Sequence, residues 1–267
     1  LRYDYAGLLS TYGRYDDAEK EYKKFLQKFP DSADSYYNLG LIYENKKDFQ
    51  SAIQSFNKAI ELDPKEIEPK IELAKAYHLM KNYQKAAEIY EGLLVNTKDN
   101  AQLFYIAALA EHSLKKYDKA IEFYEKSLAL SNNAKVRKDY VQAFIGRGNS
   151  FASATQYDAA IEDYEKALLI SPNELYAFSG LAFCYQKLGK QSKAMEFYEK
   201  AISINPNNKS IFISYADMLA KSKRNDEATG AYRKAISLDP DSVQAHIGLG
   251  DNYLLKKDYD NAVDEYN

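Results

Sequence analysis

The residues best placed to do chemistry are two close glycines, two spaced histidines, one cysteine and many carboxylates. Gly146-Arg147-Gly148 suggests a phosphate-cradling loop, where paired glycines let backbone N–H groups approach an anion. No third glycine follows at the required spacing and no strand pattern precedes it, so both glycines read as packing positions inside a helix. His78 and His112 stand 34 residues apart and could begin a metal site. A metal needs further ligands at defined distances, and no cysteine or third histidine is available there, so partner contact or plain solvation is the reading. Cys184 falls beside an apolar stripe and reads as a buried structural thiol. The carboxylates alternate with lysine, as in Glu196, Glu199 and Lys200, which marks a solvated helix face. The chain carries no HExxH pair, no Walker lysine and no Gly-x-Ser-x-Gly elbow. We expect no enzyme within these residues, no cofactor and no metal.

The elements that would position these side chains are copies of one unit, seen most clearly in residues 33–66. Tyr36, Leu39, Gly40 and Tyr43 recur at helical spacing, and Phe49, Ala52, Ile53, Phe56, Ala59 and Ile60 repeat that spacing after the polar break Asn45-Lys46-Lys47-Asp48. These are two amphipathic helices. Asp63-Pro64 ends the second, because proline disfavours helix at and before itself. So short a turn makes the helices antiparallel, and Gly40 lets the second approach the first closely. Neither helix can bury its stripe alone, so the unit needs neighbours.

The neighbours are in the sequence. The alanine of the second helix recurs as Ala18, Ala52, Ala86, Ala120, Ala160, Ala194, Ala228 and Ala262, at intervals of 34 residues broken once by 40. Four residues after each stands an aromatic: Tyr22, Phe56, Tyr90, Tyr124, Tyr164, Tyr198, Tyr232 and Tyr266. The aromatic ring fills the core while a tyrosine hydroxyl reaches its edge.

This pattern resembles the tetratricopeptide repeat (TPR) family, whose period is 34. The family's Leu-Gly pair matches Leu39-Gly40 and Leu249-Gly250, softened to Leu73-Ala74 and Leu181-Ala182; its closing proline matches Pro30, Pro64, Pro172, Pro206 and Pro240. Departures are Lys98 and Asn132 at the proline position, Arg147 for the leucine, and the absence of tryptophan. The resemblance implies an all-α, right-handed superhelical solenoid of antiparallel helix pairs, about eight units long with the first and last incomplete. The expected organisation is a single solenoid over 1–267: repeats 1–32 (partial), 33–66, 67–100, 101–140 with a six-residue insertion, 141–174, 175–208, 209–242 and 243–267 (partial). In the first, the second helix is expected over Asp16–Lys28, behind a first helix without an opening. The insertion around Asn132–Tyr140 lacks Gly and Pro, which predicts a longer first helix in the next repeat. That is either a tolerated extension or a local change of pitch or docking knob. Asp31-Ser32 and Asp241-Ser242 are expected helix caps.

Composition narrows the function classes. Lys+Arg 36 against Asp+Glu 39 leaves a net charge of −3 with no basic stripe, which argues against nucleic-acid binding. No apolar run is long enough for direct membrane insertion. Neither end carries the polar cap that repeat arrays need, so a fragment of a longer protein, or a chain with unseen ends, is expected, possible self-association through uncapped ends included. With no signal or transmembrane segment in view and the true N-terminus expected to be missing, localisation is unknown, the cytoplasm slightly favoured; a single cysteine fits a reducing compartment.

The resemblance places function on the concave groove lined by first helices, with repeat positions 2, 5, 6, 9 and 12 inward. The candidate residues there are Tyr37, Asn38, Leu41, Ile71, Lys75, Tyr105, Ile106, Leu109, Asn149 and Phe183. Tyr37/Leu41 and Tyr105/Leu109 are i, i+4 pairs on one face, and Tyr105, Ile106 and Leu109 together predict an exposed apolar patch of the kind that marks interaction sites. The two-carboxylate clamp and the asparagine ladder of the family both lack their residues here. The expected function is a non-catalytic protein–protein interaction scaffold, holding a peptide or helix of a partner protein. The alternatives are a structural spacer or self-assembling subunit, or the regulatory arm of an enzyme whose catalytic domain lies elsewhere.

Overall fold

A computed structural model describes residues 2–97 and 99–267, and these are all-α. The helices are α1 (Arg2–Thr11), α2 (Tyr15–Leu26), α3 (Ala33–Asn45), α4 (Phe49–Leu62), α5 (Glu68–Leu79), α6 (Tyr83–Leu94), α7 (Ala101–Ser113), α8 (Tyr117–Leu130) and α9 (Ala134–Ser153). They continue as α10 (Tyr157–Ile170), α11 (Leu175–Lys187), α12 (Gln191–Ile204), α13 (Lys209–Lys221), α14 (Asn225–Leu238), α15 (Val243–Leu255) and α16 (Tyr259–Tyr266). The chain divides into two compact units, Leu1–Tyr140 and Val141–Asn267. From α1 to α8 and from α10 to α16 each helix packs on the next one in sequence, and α1, α3 and α5 in the first unit, like α13 and α15 in the second, also touch as neighbouring first helices. No helix among the described residues is long and apolar enough to cross a membrane.

Several local expectations are met and two are adjusted. The insertion is helical: α9 has 20 residues, and its start is capped by the Asn133 side chain, which accepts from the N–H groups of Lys135 (2.8 Å) and Val136 (3.4 Å). Ser32 caps α3 by accepting from the Ser35 N–H. Ser242 stands at the corresponding place before α15 but makes no side-chain cap bond. The first repeat has a helix α1 of 10 residues, and its second helix ends two residues earlier than expected, at Leu26. Lys98, the departure from the closing proline, lies outside the described residues.

One backbone device makes the turn inside each pair. In the first complete unit, Asp48 N–H donates to the Tyr43 carbonyl and Lys47 N–H to the Glu44 carbonyl, both at 2.9 Å, the two crossed bonds of a Schellman turn. The geometry needs a left-handed residue. Gly13 and Gly189 supply it without strain, but Lys47, Lys81, Lys115, Thr155, Lys223 and Lys257 adopt it with φ between 58° and 62°. A side chain there clashes with its own carbonyl.

Between the helices the fit is set by small residues. A Cβ on Gly40 would lie 2.3 Å from the Phe56 ring, and one on Gly250 would lie 2.5 Å from that of Tyr266. At the last pair, His246 bridges α15 to α16: its Nδ1 is 2.7 Å from Glu265 Oε2 and its Nε2 3.0 Å from the Pro240 carbonyl. Both partners only accept, so both ring nitrogens must carry hydrogen. The Pro240 carbonyl first, then Glu265, raises the His246 pKa above its ordinary value.

Replacing exposed Lys81 by glycine removes the left-handed strain and is expected to add about 0.5–1 kcal/mol to the unfolding free energy, after glycine's own entropy cost. A urea melt would show a higher midpoint at unchanged slope. For His246 the folded pKa lies above the unfolded one, so its contribution is complete below the ordinary histidine range and fades as pH rises through the raised value. Hydrogen-exchange protection of α16 is therefore expected to fall between about pH 6 and about pH 8, and His246→Ala to remove that dependence.

Candidate functional site

The second-helix aromatics reach the face formed by the first helices. The Tyr164 hydroxyl donates to Asn149 Oδ1 at 2.7 Å, that of Tyr232 to Asp217 Oδ1, and that of Tyr266 to Asp251 Oδ1 at 2.6 Å. Asn149, Asp217 and Asp251 occupy repeat position 9 of their own first helices. Where the aromatic is Phe56, which has no hydroxyl, the position-9 residue is Leu41, packed into the same core cluster. In two other repeats the hydroxyl goes elsewhere: that of Tyr124 lies 3.3 Å from His112 Nδ1 and that of Tyr198 donates to Gln186 at 3.3 Å. Burial pushes the pKa of Tyr164 and Tyr232 well up, so both hydroxyls remain donors.

In the first unit the expected anchors are engaged by their own chain. Tyr37 is half-buried, with its ring 6.1 Å from that of Phe56. Asn38 donates to the Tyr3 hydroxyl at 2.9 Å and the Asp34 carbonyl at 2.8 Å. Ile71 and Ile106 pack against the core built around Tyr90 and Leu103. Lys75 bridges Glu44 (2.7 Å) and Glu72 (2.9 Å). Leu109 is half-buried.

The exposed patch expected at Tyr105 is corrected. Tyr105 is only 6 % exposed, because the extra turns of α9 lie over it. Its hydroxyl donates to Asp139 at 2.8 Å, and the Lys135 ammonium sits 5.5 Å above its ring. Tyr140 completes the cover, its hydroxyl donating to Glu125 at 2.7 Å and its ring 6.2 Å from Tyr124. The insertion is thus an internal brace for α7 and α8.

The second unit keeps an open pocket, and it brings together the two remaining candidates, Asn149 and Phe183. A cavity of about 390 Å³ lies between α9 and α11, lined by Asn149, Ala152, Ser153, Tyr164, Tyr176, Ser179, Gly180 and Phe183. Glycine shapes its floor: a Cβ on Gly180 would lie 2.4 Å from the Tyr164 ring and one on Gly148 2.9 Å from its other side. The ring is held in that slot with its hydroxyl aimed at Asn149. Since the Asn149 carbonyl oxygen accepts from Tyr164, its amide nitrogen is left to donate. Tyr176 (60 % exposed) and Phe183 (39 % exposed) form aromatic walls, and the Lys187 ammonium lies 5.3 Å over the Phe183 ring. Among the described residues no charged side chain lines the cavity itself.

The other chemical candidates have structural surroundings. Gly146-Arg147-Gly148 lies within α9, and Arg147, which replaces the usual leucine, forms a two-pronged ion pair with buried Asp163 at 2.8 Å on each arm. His78 and His112 each meet the tyrosine that opens the following helix with rings steeply inclined, their centroids 4.9 Å from Tyr83 and 5.5 Å from Tyr117. Among the described residues no group of three or more His, Cys, Asp or Glu side chains could hold a metal ion. Cys184 is buried, which pushes its pKa up to about 11 and leaves it an unreactive thiol.

The family models agree with this architecture along the chain. Residues 23–138 match the TPR domain of cytochrome c-type biogenesis protein H. Tetratricopeptide repeat models match 1–42, 148–189, 175–208 and 216–267. The chain belongs to the tetratricopeptide repeat family. Among solved structures, this TPR chain is similar to the C-terminal part of a TPR repeat-containing protein from Cytophaga hutchinsonii (TM-score 0.66, 19% identity, 92% of this chain and 99% of that one). It is also similar to MamA (TM-score 0.51, 25% identity, 65% and 92%). A third likeness is to YrrB, described as a TPR protein with an unusual peptide-binding site (TM-score 0.51, 22% identity, 69% and 92%). No curated protein sequence matches the chain.

Sequence reasoning missed two buried carboxylates of this TPR array. Asp163 was signalled by the departure at Arg147, since a buried guanidinium calls for a partner. Glu111 was signalled by phase alone: it stands where Tyr43, Tyr77, Tyr185 and Tyr253 stand in other repeats.

Gly180→Ala forces the Tyr164 ring from its slot, and a loss of about 1–3 kcal/mol is expected from the overpacking, measured by urea unfolding. Tyr164→Phe keeps the ring and frees Asn149, so it is expected to cost about 0.5–1.5 kcal/mol, the net worth of one hydrogen bond.

Proposed function

We propose that this TPR chain is a non-catalytic interaction scaffold that holds an extended peptide segment of a partner protein against the first-helix face of its second unit. The observation that carries this reading is the pocket between α9 and α11, with aromatic walls, a glycine floor and one amide donor fixed from behind. An extended peptide offers carbonyl acceptors at regular spacing and side chains that bury against rings. Phe183 and Tyr176 would supply apolar contact and Asn149 a hydrogen bond to a peptide carbonyl. Aromatic anchors of this kind dominate binding energy where water is excluded around them. The peptide-binding site described for YrrB belongs to a chain that shares this fold, and the reading here rests on the local pocket. The first-unit residues Tyr37, Asn38, Leu41, Ile71, Lys75, Tyr105, Ile106 and Leu109 would act mainly by keeping their own face rigid.

The test is a peptide array of random sequences probed with the wild-type protein, followed by solution affinities for the hits. Phe183→Ala and Asn149→Ala are expected to weaken those hits about tenfold or more, since about 1.4 kcal/mol corresponds to a factor of ten. The control, Leu109→Ala in the first unit, is expected to leave them unchanged. Hits that survive both second-unit variants and fail with the control would move the site to the first unit and overturn the assignment.

A further inference from the structure

Glu111 is the most deeply buried carboxylate in either unit that has no arginine or lysine in hydrogen-bond range. It is 1 % exposed, and its Oε2 has no hydrogen-bond partner. It projects from α7 at the position that holds tyrosine in the two preceding repeats, Tyr43 and Tyr77. Three charged groups face it from the packed elements. The Glu91 carboxyl of α6 shares the Lys119 ammonium with it and is its hydrogen-bond neighbour. Lys116, just before α8, lies 3.9 Å from its Oε2, and Lys119 of α8 lies 4.0 Å from its Oε1. Lys119 is committed elsewhere, at 2.5 Å from Glu91 Oε1. His112, next along α7, turns away toward Tyr117 and Tyr124.

Two adjoining carboxyl groups can be joined by a hydrogen bond only if one is protonated. We propose that Glu111 and Glu91 hold a single proton between them and that this proton is a latch joining α6, α7 and α8 in the first unit. Glu111 carries the proton and donates it to Glu91, whose negative charge Lys119 stabilises. Loss of the proton leaves two carboxylates side by side, one of them buried, with the two lysines still 3.9 and 4.0 Å from Glu111. The division of roles follows the surroundings. Burial raises the Glu111 pKa to about 7, while the hydrogen bond from Glu111, then Lys119, lowers that of Glu91.

The direction of the effect follows from linkage. Glu111 binds its proton more tightly folded than unfolded, so its contribution is whole below the ordinary carboxyl range and is lost as pH rises through about 7. Glu91 runs the other way and loses its contribution as pH falls below that range. Mildly acidic solution closes the latch and mildly alkaline solution loosens it, most of all at the α7–α8 turn.

The decisive measurement is carbon NMR of the glutamate side-chain carboxyls through a pH titration, with exchange protection factors for α7 and α8 at about pH 6 and about pH 8. The Glu111 carboxyl is expected to titrate at least one unit above an ordinary glutamate. Protection in α7 and α8 is expected to fall about tenfold between the two conditions in wild type, one full unit of linked proton binding being worth that factor. Glu111→Gln, which keeps a donor toward Glu91 and cannot ionise, is expected to show no such fall. A Glu111 carboxyl that titrates in the ordinary range overturns the proposal, whether or not the variant folds. So does the same loss of protection in Glu111→Gln as in wild type.

Discussion

Each helix pair depends on an aromatic ring of the second helix lying against a first helix that makes room for it. Where the room is made by glycine, as at Gly40 under Phe56 or Gly148 and Gly180 on either side of Tyr164, even a methyl group would overlap the ring. Ring and slot fix the distance between helices, and the repeating phase then fixes which side chains appear on the first-helix face. Hydrophobic burial supplies the drive, but close packing supplies the register. The tyrosine hydroxyls extend that control outward. They leave the core at its edge and hold Asn149, Asp217 and Asp251 in place.

The two units use this common frame differently. In the first, the face carries bulky and charged side chains that satisfy one another: Asn38 with Tyr3, Lys75 between two glutamates, and Tyr105 beneath α9. In the second, Gly180, Ser179 and Ser153 keep side chains short, and the aromatic walls at Tyr176 and Phe183 stand clear. A face whose polar groups are already paired has little to offer a ligand, whereas one with an oriented, unmatched donor gains by binding.

The repeat, the close approach at Gly40 and the helical nature of the insertion were legible in the sequence, because each follows from period, small-residue placement or the absence of Gly and Pro. Asn149 and Phe183 share repeat position 9, which the family resemblance turns inward, and both line the pocket between α9 and α11. The cover on Tyr105 was not legible. It depends on Lys135, Asp139 and Tyr140 folding back on α7, a contact between helices that no periodicity encodes. The burial of Glu111 was equally hidden, since a glutamate amid lysines normally reads as solvated. Only its place in the tyrosine column set it apart, and the charged neighbours that face it come from α6, α8 and the turn before α8.

The pattern of helix contacts also bears on how the chain reaches this structure. Helices touch their immediate successors and, within a unit, the nearest first helices, so nearly every stabilising contact joins residues close along the chain. Closing such short loops costs little entropy, and chains of this topology fold quickly. Any well-packed pair can serve as a nucleus from which order spreads to the next. The brace from α9 onto α7 and α8 adds two side-chain links of the same modest range, 34 and 15 residues apart along the chain.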